Sequence, residues 1–308
     1  MRGRGLAAAA IIGTALAIGG PARAQVTVPR SELVVLGSGG PRMAGRAASS
    51  NVIVLEGKAR ILVDAGTGAA VRLGETGLDI RDLDIVLLTH LHIDHSADLP
   101  SVAKARAMIQ AQPITFRVFG PAGRGLFPST TSFVSRLFDT QGLYAYQRSF
   151  GAPESFTVTD LSIDLAHPIT EILREGDLHV STVATNHGEA PSVAYRIDDR
   201  GMSVAFSGDL DPSGLPNLTR LAAGADLLVF NCAVLDPPGS PAELYTRHTA
   251  PRQIGEVAHR AGVKRLLLTH IAPLVERSPD EVLTSVRAGY AGPVEIARDR
   301  MRLTLAPP

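Results

Sequence analysis

The fold of this chain is decided at Thr89-His90-Leu91-His92-Ile93-Asp94-His95, which follows the apolar run of residues 85–88. Three imidazoles and one carboxylate supply the nitrogen and oxygen ligands that a borderline cation such as zinc accepts. If the strand continues from residue 88 to His92, the two-residue period of a strand puts His90 and His92 on one side, where both can bind one ion. Asp94 and His95 then lie past the strand and can face a second ion. The alternative is that one or two of these histidines only support the ligands or lie on the surface.

The first 24 residues have the pattern of a targeting segment. Arg2 and Arg4 give a positive start, residues 6–18 are apolar or small, and Ala22-Arg23-Ala24 resembles a cleavage site. The apolar stretch is short for a bilayer span. The sequence therefore predicts a cleavable signal peptide over residues 1–24, a periplasmic or secreted location, and no stable membrane association after cleavage. Uncleaved retention in the membrane is the alternative.

The balance of charged residues indicates whether the protein is a general binder of nucleic acid. The whole chain has 30 basic and 30 acidic residues, and the predicted leader holds three arginines and no acid. The remaining 27 basic and 30 acidic residues give a net charge of −3. A mildly acidic protein without a basic run is a poor general binder of nucleic acid, although net charge does not describe a local patch. The sequence predicts that nucleic acid is not a partner.

The remaining residues, 25–308, are enough for a single large α/β domain. Cys232 is the one cysteine, so no disulfide can form within the chain. It follows an apolar run and is expected to be buried and inert, with metal thiolate as the alternative.

An aromatic-rich insertion is expected near residues 121–150. Six of the fourteen aromatic residues lie there, namely Phe127, Phe133, Phe138, Tyr144, Tyr146 and Phe150. They form either a small core of their own or an apolar wall beside the metals.

The pattern His90-x-His92-x-Asp94-His95 resembles the signature of the metallo-β-lactamase superfamily of hydrolases. The resemblance implies an α/β fold, a four-layer αββα sandwich, with two metal ions at one edge. It also implies that His187, in the loop between two predicted strands, completes the ligands of the first ion with His90 and His92.

The resemblance further implies a second set of ligands. Asp209, after a strand and Ser207-Gly208, is similar to the bridging aspartate, while Asp211 is the nearby competitor and suits a turn. His270 would join Asp94, His95 and Asp209 on the second ion. It follows Leu266-Leu267-Leu268-Thr269, which echoes the first motif and suggests two similar halves facing each other across the metals. Asp64 resembles the aspartate that braces the metal loop without binding metal.

The element His248-Thr249-Ala250 resembles the His-Ser-Thr element of the tRNase Z branch, which also includes arylsulfatases and other phosphodiesterases. The resemblance implies that His248 acts near the leaving group; a helix-capping or surface role is the alternative. Residues 230–233 depart from the branch, because Phe-Asn-Cys-Ala stands where His-Glu-Ala-Thr is expected. Asp236 or Glu243 could replace the missing glutamate as partner of His248.

The predicted function is that of an exported dinuclear hydrolase in which a metal-bridging hydroxide attacks phosphodiester or sulfate ester bonds. Asp94 and His248 are the expected catalytic residues. The expected cofactors are two Zn²⁺ ions, with iron or manganese as alternatives, and the expected substrate is a small-molecule ester. A homodimer is left open. The alternative functions are a β-lactam or lactone hydrolase, a non-catalytic metal-stabilised binding protein and an iron-loaded oxidoreductase.

Overall fold

Two seven-stranded sheets face each other in the computed structural model, which describes residues 31–305. The predicted signal peptide, residues 1–24, lies outside the described residues. The first sheet contains β1 (Ser31–Gly37), β2 (Ser50–Leu55), β3 (Lys58–Ala65), β4 (Ile85–Leu87), β5 (Ile114–Pro121), β6 (Glu154–Leu161) and β14 (Arg302–Thr304). The second sheet contains β7 (Thr170–Glu175), β8 (Leu178–His187), β9 (Ala190–Asp199), β10 (Met202–Phe206), β11 (Leu227–Asn231), β12 (Leu266–Thr269) and β13 (Val294–Ile296).

The two sheets share one pattern of strand pairing. The first has the order β14-β1-β2-β3-β4-β5-β6, antiparallel from β14 to β3 and parallel from β3 to β6. The second has the order β13-β12-β11-β10-β9-β8-β7, parallel from β13 to β10 and antiparallel from β10 to β7. The echo between the two strand–Thr–His segments in the sequence therefore reflects two halves of similar build.

Helices cover the outer face of each sheet and complete the four layers. Apolar residues of α1 (Ala69–Glu75), α3 (Leu99–Ala107) and α4 (Thr130–Phe138) pack on the first sheet. Those of α5 (Leu215–Leu221), α6 (Pro251–Ala261), α7 (Pro273–Arg277) and α8 (Pro279–Arg287) pack on the second. The remaining helical elements are α2 (Ile93–Ser96) and the 3₁₀ turns Ala145–Ser149, Pro212–Gly214 and Ala242–Thr246. The predicted αββα sandwich is confirmed.

The sequence of α6 shows why these helices form where they do. Pro251 occupies the first helical position, where its missing N–H costs nothing, and Gly262 ends the helix in the left-handed conformation with φ 63°. Ile254, Val257 and Ala258 recur at helical spacing and are fully buried. Among residues 31–305, no helix has both the length and the hydropathy needed to cross a membrane.

A core of apolar side chains fills the space between the sheets. Tyr195 on β9 is fully buried there, and its hydroxyl lies 2.9 Å from the carbonyl oxygen of Leu88 and 3.1 Å from that of Phe119. Both oxygens belong to the first sheet, at the ends of neighbouring parallel strands. The hydroxyl of Tyr195 therefore ties the second sheet to the point where the His-x-His-x-Asp-His segment begins.

The chain leaves the sheet earlier than the sequence predicted. The strand β4 ends at Leu87, so the expectation that it continues to His92 is wrong. The backbone N–H of Thr89 donates to the Asp64 carboxylate at 2.8 Å, and the carbonyl of Thr89 accepts from Val193 of the opposite sheet at 2.9 Å. Because the Asp64 side chain and the facing sheet provide hydrogen-bond partners for the backbone N–H and carbonyl of Thr89, the backbone can leave the first sheet and turn into the gap between the sheets.

The aromatic-rich segment lies between β5 and β6 as α4 and the turn Ala145–Ser149. Phe138 is buried and stacks on Phe156 of β6, with ring centroids 4.2 Å apart. Phe127, at the start of the segment, instead lies against His92, with centroids 5.5 Å apart. One part of the segment therefore adds to the core and another borders the histidine cluster.

Candidate metal centre

Three predicted ligands of the first ion come together although they lie far apart in sequence. The Nε2 atom of His90 is 3.0 Å from Nδ1 of His92, and His187, at the end of β8, completes the group. One ligand atom from each residue lies within 4.8 Å of the other two. The Nδ1 atom of His187 is held by the carbonyl oxygen of Arg247 at 2.7 Å, which leaves Nε2 for a cation.

The predicted ligands of the second ion form a separate group of buried residues. Asp94 and His95 lie on the single-turn helix α2, and His270 follows β12. The Nε2 atom of His270 is 3.1 Å from an oxygen of Asp94. Gly40 lies so close to His270 that a Cβ atom there would be 2.7 Å from the imidazole ring. A residue without a side chain is therefore required beside this ligand.

Asp209 lies between the two groups and faces both of them. Its Oδ2 atom is 4.0 Å from His90, 3.6 Å from His187, 3.7 Å from His95 and 3.4 Å from His270, measured to the imidazole nitrogens. Its other oxygen accepts a 2.7 Å hydrogen bond from the side-chain amide of Asn231. That bond fixes the carboxylate so that Oδ2 is the atom available to both groups.

Gly208 allows Asp209 to approach this closely. The residue has φ 58°, in the left-handed region that favours glycine, and a Cβ atom there would be 2.7 Å from Cβ of Thr89. A side chain at position 208 would therefore push the Asp209 loop away from the loop that carries His90 and His92.

The residues fit a pair of divalent cations. Nε2 of His95 is fully buried and has no hydrogen-bond partner within residues 31–305, although buried imidazole nitrogens are nearly always paired. Two ligands about 2.1 Å from one tetrahedral zinc ion are roughly 3.4 Å apart. The observed separation is 3.4 Å between His270 and Asp209, which matches that spacing, and 3.0 Å between His90 and His92, which is slightly shorter.

Asp64 supports the centre from the end of β3. Its carboxylate is 2.7 Å from Nδ1 of His95 and accepts hydrogen bonds from both the N–H and the hydroxyl of Thr89. The residue has φ 59° and His270 has φ 55°, which are uncommon for residues with side chains. Such backbone strain persists where surrounding contacts enforce it and is frequent at functional sites.

Burial and close charges alter the acid–base properties of the centre. Burial alone would raise the pKa of Asp209, but His270 and His248 beside it hold that pKa well below its usual range. Burial lowers the pKa of His95, yet the carboxylates of Asp64 and Asp209 outweigh burial and raise it well above its usual range. Asp209 therefore stays ionised and is strongly coupled to its histidine neighbours.

His248 lies beside the two groups, just before α6. Its Nδ1 atom is 3.9 Å from Oδ2 of Asp209. Burial, opposed in part by Asp209, lowers the pKa of His248 to about 4. Within residues 31–305 neither predicted partner contacts it: Asp236 accepts hydrogen bonds from Ser285 and the backbone of Arg252, and the side chain of Glu243 is exposed. The carboxylate near His248 is therefore that of Asp209.

The sequence analysis missed the roles of Asn231 and of the Arg247 carbonyl. Asn231 was noted only as a departure from a family pattern, yet it orients Asp209. A usable signal was its position at the end of β11, which pairs in parallel with β12 at Thr269, directly before His270. The Arg247 carbonyl that holds His187 leaves no signal in the sequence, because any residue offers a carbonyl.

Two other residues named from the sequence lie outside the ligand groups. Asp211, the competitor of Asp209, accepts hydrogen bonds from Asn186 and Ser213 in a turn. Cys232 is fully buried, which raises the pKa of its thiol to about 12.

A cavity of about 190 Å³ opens beside His248 and His270. Its wall is almost entirely apolar and includes Met43, Ala233, Leu244, Ile271 and Pro273. The cavity is large enough for a group the size of an aromatic ring. A substrate bound at Asp209 can therefore extend an apolar portion into it.

Curated relatives resemble the chain along almost its whole length. Ribonuclease Z of Mycobacterium avium (strain 104) is 29% identical over 286 residues, which cover 90% of this chain and 99% of that protein. Ribonuclease Z of Mycobacterium bovis (strain BCG / Pasteur 1173P2) is 29% identical over 290 residues, with the same coverage.

These relatives correct the prediction that nucleic acid is not a partner, which is wrong. The relatives that cover nine tenths of the chain are named as ribonucleases. The error has a physical cause, because a net charge averaged over the chain does not describe the field at one cleft. Bound divalent cations would add positive charge where an anionic substrate is cleaved.

The predicted periplasmic or secreted location is contradicted by the same relatives. The prediction rested on a short compositional pattern in residues 1–24, which lie outside the described residues. A pattern of that length carries less information than a match along nearly the whole chain.

Solved structures share the fold. Human tRNase Z, short form, superposes with a TM-score of 0.70 at 21% identity, covering 90% of this chain and all of that chain. The metallo-β-lactamase fold protein YhfI from Bacillus subtilis gives a TM-score of 0.66 at 21% identity, with 90% and 99% coverage. Zinc-bound PqqB from Methylobacterium extorquens gives 0.63 at 17% identity, with 88% and 99% coverage.

The sequence profile described as a Beta-lactamase superfamily domain matches residues 59–271. That range includes Asp64 and every residue of the two ligand groups, from His90 to His270. This chain therefore belongs to the β-lactamase superfamily, as a hydrolase of the metallo-β-lactamase fold, a fold that implies divalent metal binding.

Proposed function

We propose that this protein is a zinc-dependent phosphodiesterase that cleaves RNA. The observation that carries the proposal is the position of Asp209, whose Oδ2 atom lies within 4.0 Å of imidazole nitrogens from both ligand groups and from His248. One carboxylate shared between two ligand groups suits a hydrolytic site in which two metal ions lie about 3.5–4 Å apart. The relatives named ribonuclease Z supply the substrate class.

The ligands are assigned as two sets that share Asp209. His90, His92 and His187 hold the first ion, and Asp94, His95 and His270 hold the second. Imidazole nitrogens together with carboxylate oxygens suit Zn²⁺, and they also accept iron or manganese. When bound, the two ions supply an activated water molecule and positive charge for the phosphate.

The remaining residues orient and move protons. Asp64 fixes the ring of His95, and Asn231 fixes Asp209. One carboxylate oxygen of Asp94 lies 3.1 Å from Nε2 of His270. In this proposal the Asp94 carboxylate accepts a proton from the attacking water. His248 donates an N–H hydrogen bond to the leaving oxygen, which either protonation state of its ring can do. The apolar cavity beside His248 then holds the organic group on that side of the phosphate.

The test combines elemental analysis with a panel of substrates. Protein purified without added metal is analysed for zinc, iron and manganese, and is assayed on an RNA with a 3′ extension, bis(p-nitrophenyl) phosphate, an aryl sulfate, a lactone and a β-lactam. We expect zinc and hydrolysis of the two phosphodiesters, abolished by a chelator. Turnover confined to the sulfate, lactone or β-lactam, or no metal-dependent turnover, would contradict the proposal.

The role of His248 is tested with a matched histidine. His248→Ala should lower kcat on the order of 10²-fold, as loss of one positioned hydrogen-bond donor does, while zinc content stays the same. His259 on α6 is exposed and serves as the control, since His259→Ala should retain full activity. Loss of zinc from His248→Ala would show that His248 is a ligand instead.

A further inference from the structure

A groove of about 510 Å³ lies beside the first ligand group, lined by residues 124–127, Gly188 and Glu189. Residues 124–127 form a tight hairpin in which Arg124 and Phe127 exchange backbone hydrogen bonds of 3.1 and 3.0 Å. The ring of Phe127 packs edge-on against His92, and Gly188 directly follows His187. The groove is therefore continuous with the predicted ligands of the first ion.

Two arginines are held against Gly188. Nη2 of Arg124 donates to the carbonyl oxygen of Gly188 at 2.8 Å. The side chain of Arg247 passes over the same residue, because a Cβ atom on Gly188 would be 3.4 Å from its Cγ and 3.7 Å from its Nε. Arg247 also accepts the hydrogen bond from His187 with its carbonyl oxygen. Both guanidinium groups are thus positioned next to a predicted metal ligand.

Neither arginine is needed for charge pairing within the fold. Within residues 31–305, neither guanidinium has a carboxylate oxygen within 4.0 Å, whereas Arg60, Arg117 and Arg200 each pair with acids. Glu189 lines the groove but forms an ion pair with neither arginine. The two positive charges are exposed at the entrance of the centre and remain available to an anion.

We propose that Arg124 and Arg247 bind the phosphate that neighbours the scissile phosphate in a polynucleotide. The proposal rests on the proposed function and extends it, because it explains how a polynucleotide is preferred over a simple diester. Guanidinium groups match phosphate oxygens geometrically and form charge-assisted hydrogen bonds with them. Gly188 follows His187, so a chain whose scissile phosphate lies between the ligand groups places its next phosphate along the groove.

The test measures selectivity and binding in the zinc-loaded full-length protein. Arg124→Gln and Arg247→Gln should each lower the ratio of kcat/KM for an oligoribonucleotide to kcat/KM for bis(p-nitrophenyl) phosphate by about tenfold. Fluorescence anisotropy with the labelled oligoribonucleotide, in a His248→Ala background that slows cleavage, should show weaker binding. The slope of log Kd against log salt concentration should fall by about one for each arginine replaced.

The control is Arg287→Gln on α8, an exposed arginine that also lacks an acidic partner among residues 31–305 and lies away from the groove. It should leave the ratio and the salt slope unchanged. An equal loss in the control, or an unchanged ratio and slope in the groove variants, would overturn the proposal. If no substrate is hydrolysed but the groove variants still bind the oligoribonucleotide more weakly, the phosphodiesterase proposal fails and the phosphate site stands.

Discussion

The two ends of the sandwich differ in how deeply their charged residues are buried. At the end formed by the hairpins β2–β3, β7–β8 and β9–β10, charges pair directly and remain partly exposed to water. Examples are Lys58 with Asp82 at 2.9 Å and Arg117 with Asp84 at 2.7 Å. At the other end, the carboxylate of Asp209 is buried, and several imidazole nitrogens lie 3.4 to 4.0 Å from its Oδ2 atom.

The difference separates exposed ion pairs, which belong to the fold alone, from buried charged groups that are arranged to bind a ligand. Ion pairs at an exposed end contribute little stability, since water screens them. Buried imidazoles and carboxylates without full hydrogen bonding are costly to the fold unless something else satisfies them. Residues with side chains and positive φ occur at both ends, namely Asp64 and His270 at the buried end and Glu56 and Arg200 at the exposed end. Burial of charged groups, rather than backbone strain, therefore distinguishes the end that carries the candidate site.

The largest effect is expected from neutralising the carboxylate that both ligand groups share. Asp209→Asn should lower kcat/KM on the order of 10²–10³-fold, as loss of a preorganised charged group in an active site does. Asp177→Asn provides the matched control, since Asp177 is an exposed carboxylate at the opposite end, 3.3 Å from Arg200. Steady-state assays and zinc analysis measure both variants. Equal activities of Asp209→Asn and Asp177→Asn would contradict a catalytic role that is specific to the buried end.

Zinc should stabilise the protein through the buried end alone. At a free zinc concentration one hundred times the Kd, the protein should gain about 2.7 kcal/mol over the metal-free protein for each ion bound. Each bound ion corresponds to a rise in Tm of roughly 5–10 °C, measured by calorimetry with and without a chelator. The increment should disappear in Asp209→Asn and remain in Asp177→Asn. A rise of the same size in both variants would place the zinc elsewhere.

Two glycines sharpen the comparison, because they have the same backbone conformation. Gly208 and Gly176 both have φ 58°, but a Cβ atom on Gly208 would be 2.7 Å from Thr89, while one on Gly176 would have nothing within 4 Å. Gly208→Ala should destabilise the protein by about 1–3 kcal/mol more than Gly176→Ala, since only the former overpacks a buried contact. Urea unfolding measures the unfolding free energy of both variants. Equal losses of stability would show that Thr89 moves away from a new Cβ atom at position 208 without an energetic cost.

The smallest effect is expected at the exposed end. Arg200 pairs with Glu56 and Asp177 beside the β9–β10 turn. Arg200→Gln should lower Tm by less than about 4 °C and leave kcat/KM unchanged, since solvent screens these pairs. Thermal unfolding and the phosphodiester assay test it together. A larger loss of stability would show that the exposed network holds the sheets together.

The sequence alone predicted much of the fold and most of the candidate site. The apolar runs at residues 85–88 and 266–268 correspond to β4 and β12, because a continuous apolar run is a local property of the chain. Residue types and spacing indicated a metal site at His90, His92, Asp94 and His95, whereas His187, Asp209 and His270 were predicted from the resemblance to the metallo-β-lactamase superfamily. The prediction that nucleic acid is not a partner failed, since an average charge does not report the field at a cleft, and the predicted location is contradicted by the relatives.

Only the tertiary structure decided how these residues meet. Asn231 and Asp209 are 22 positions apart, and His270 and Asp94 are 176 positions apart, so sheet packing determines their contacts. The path of residues 88–92 depends on Asp64 and on Val193 of the opposite sheet, which no local period encodes. Local patterns specify strands and donor types, because they depend on neighbours along the chain. Distances between donors depend on how the two sheets pack, which is a property of the whole core.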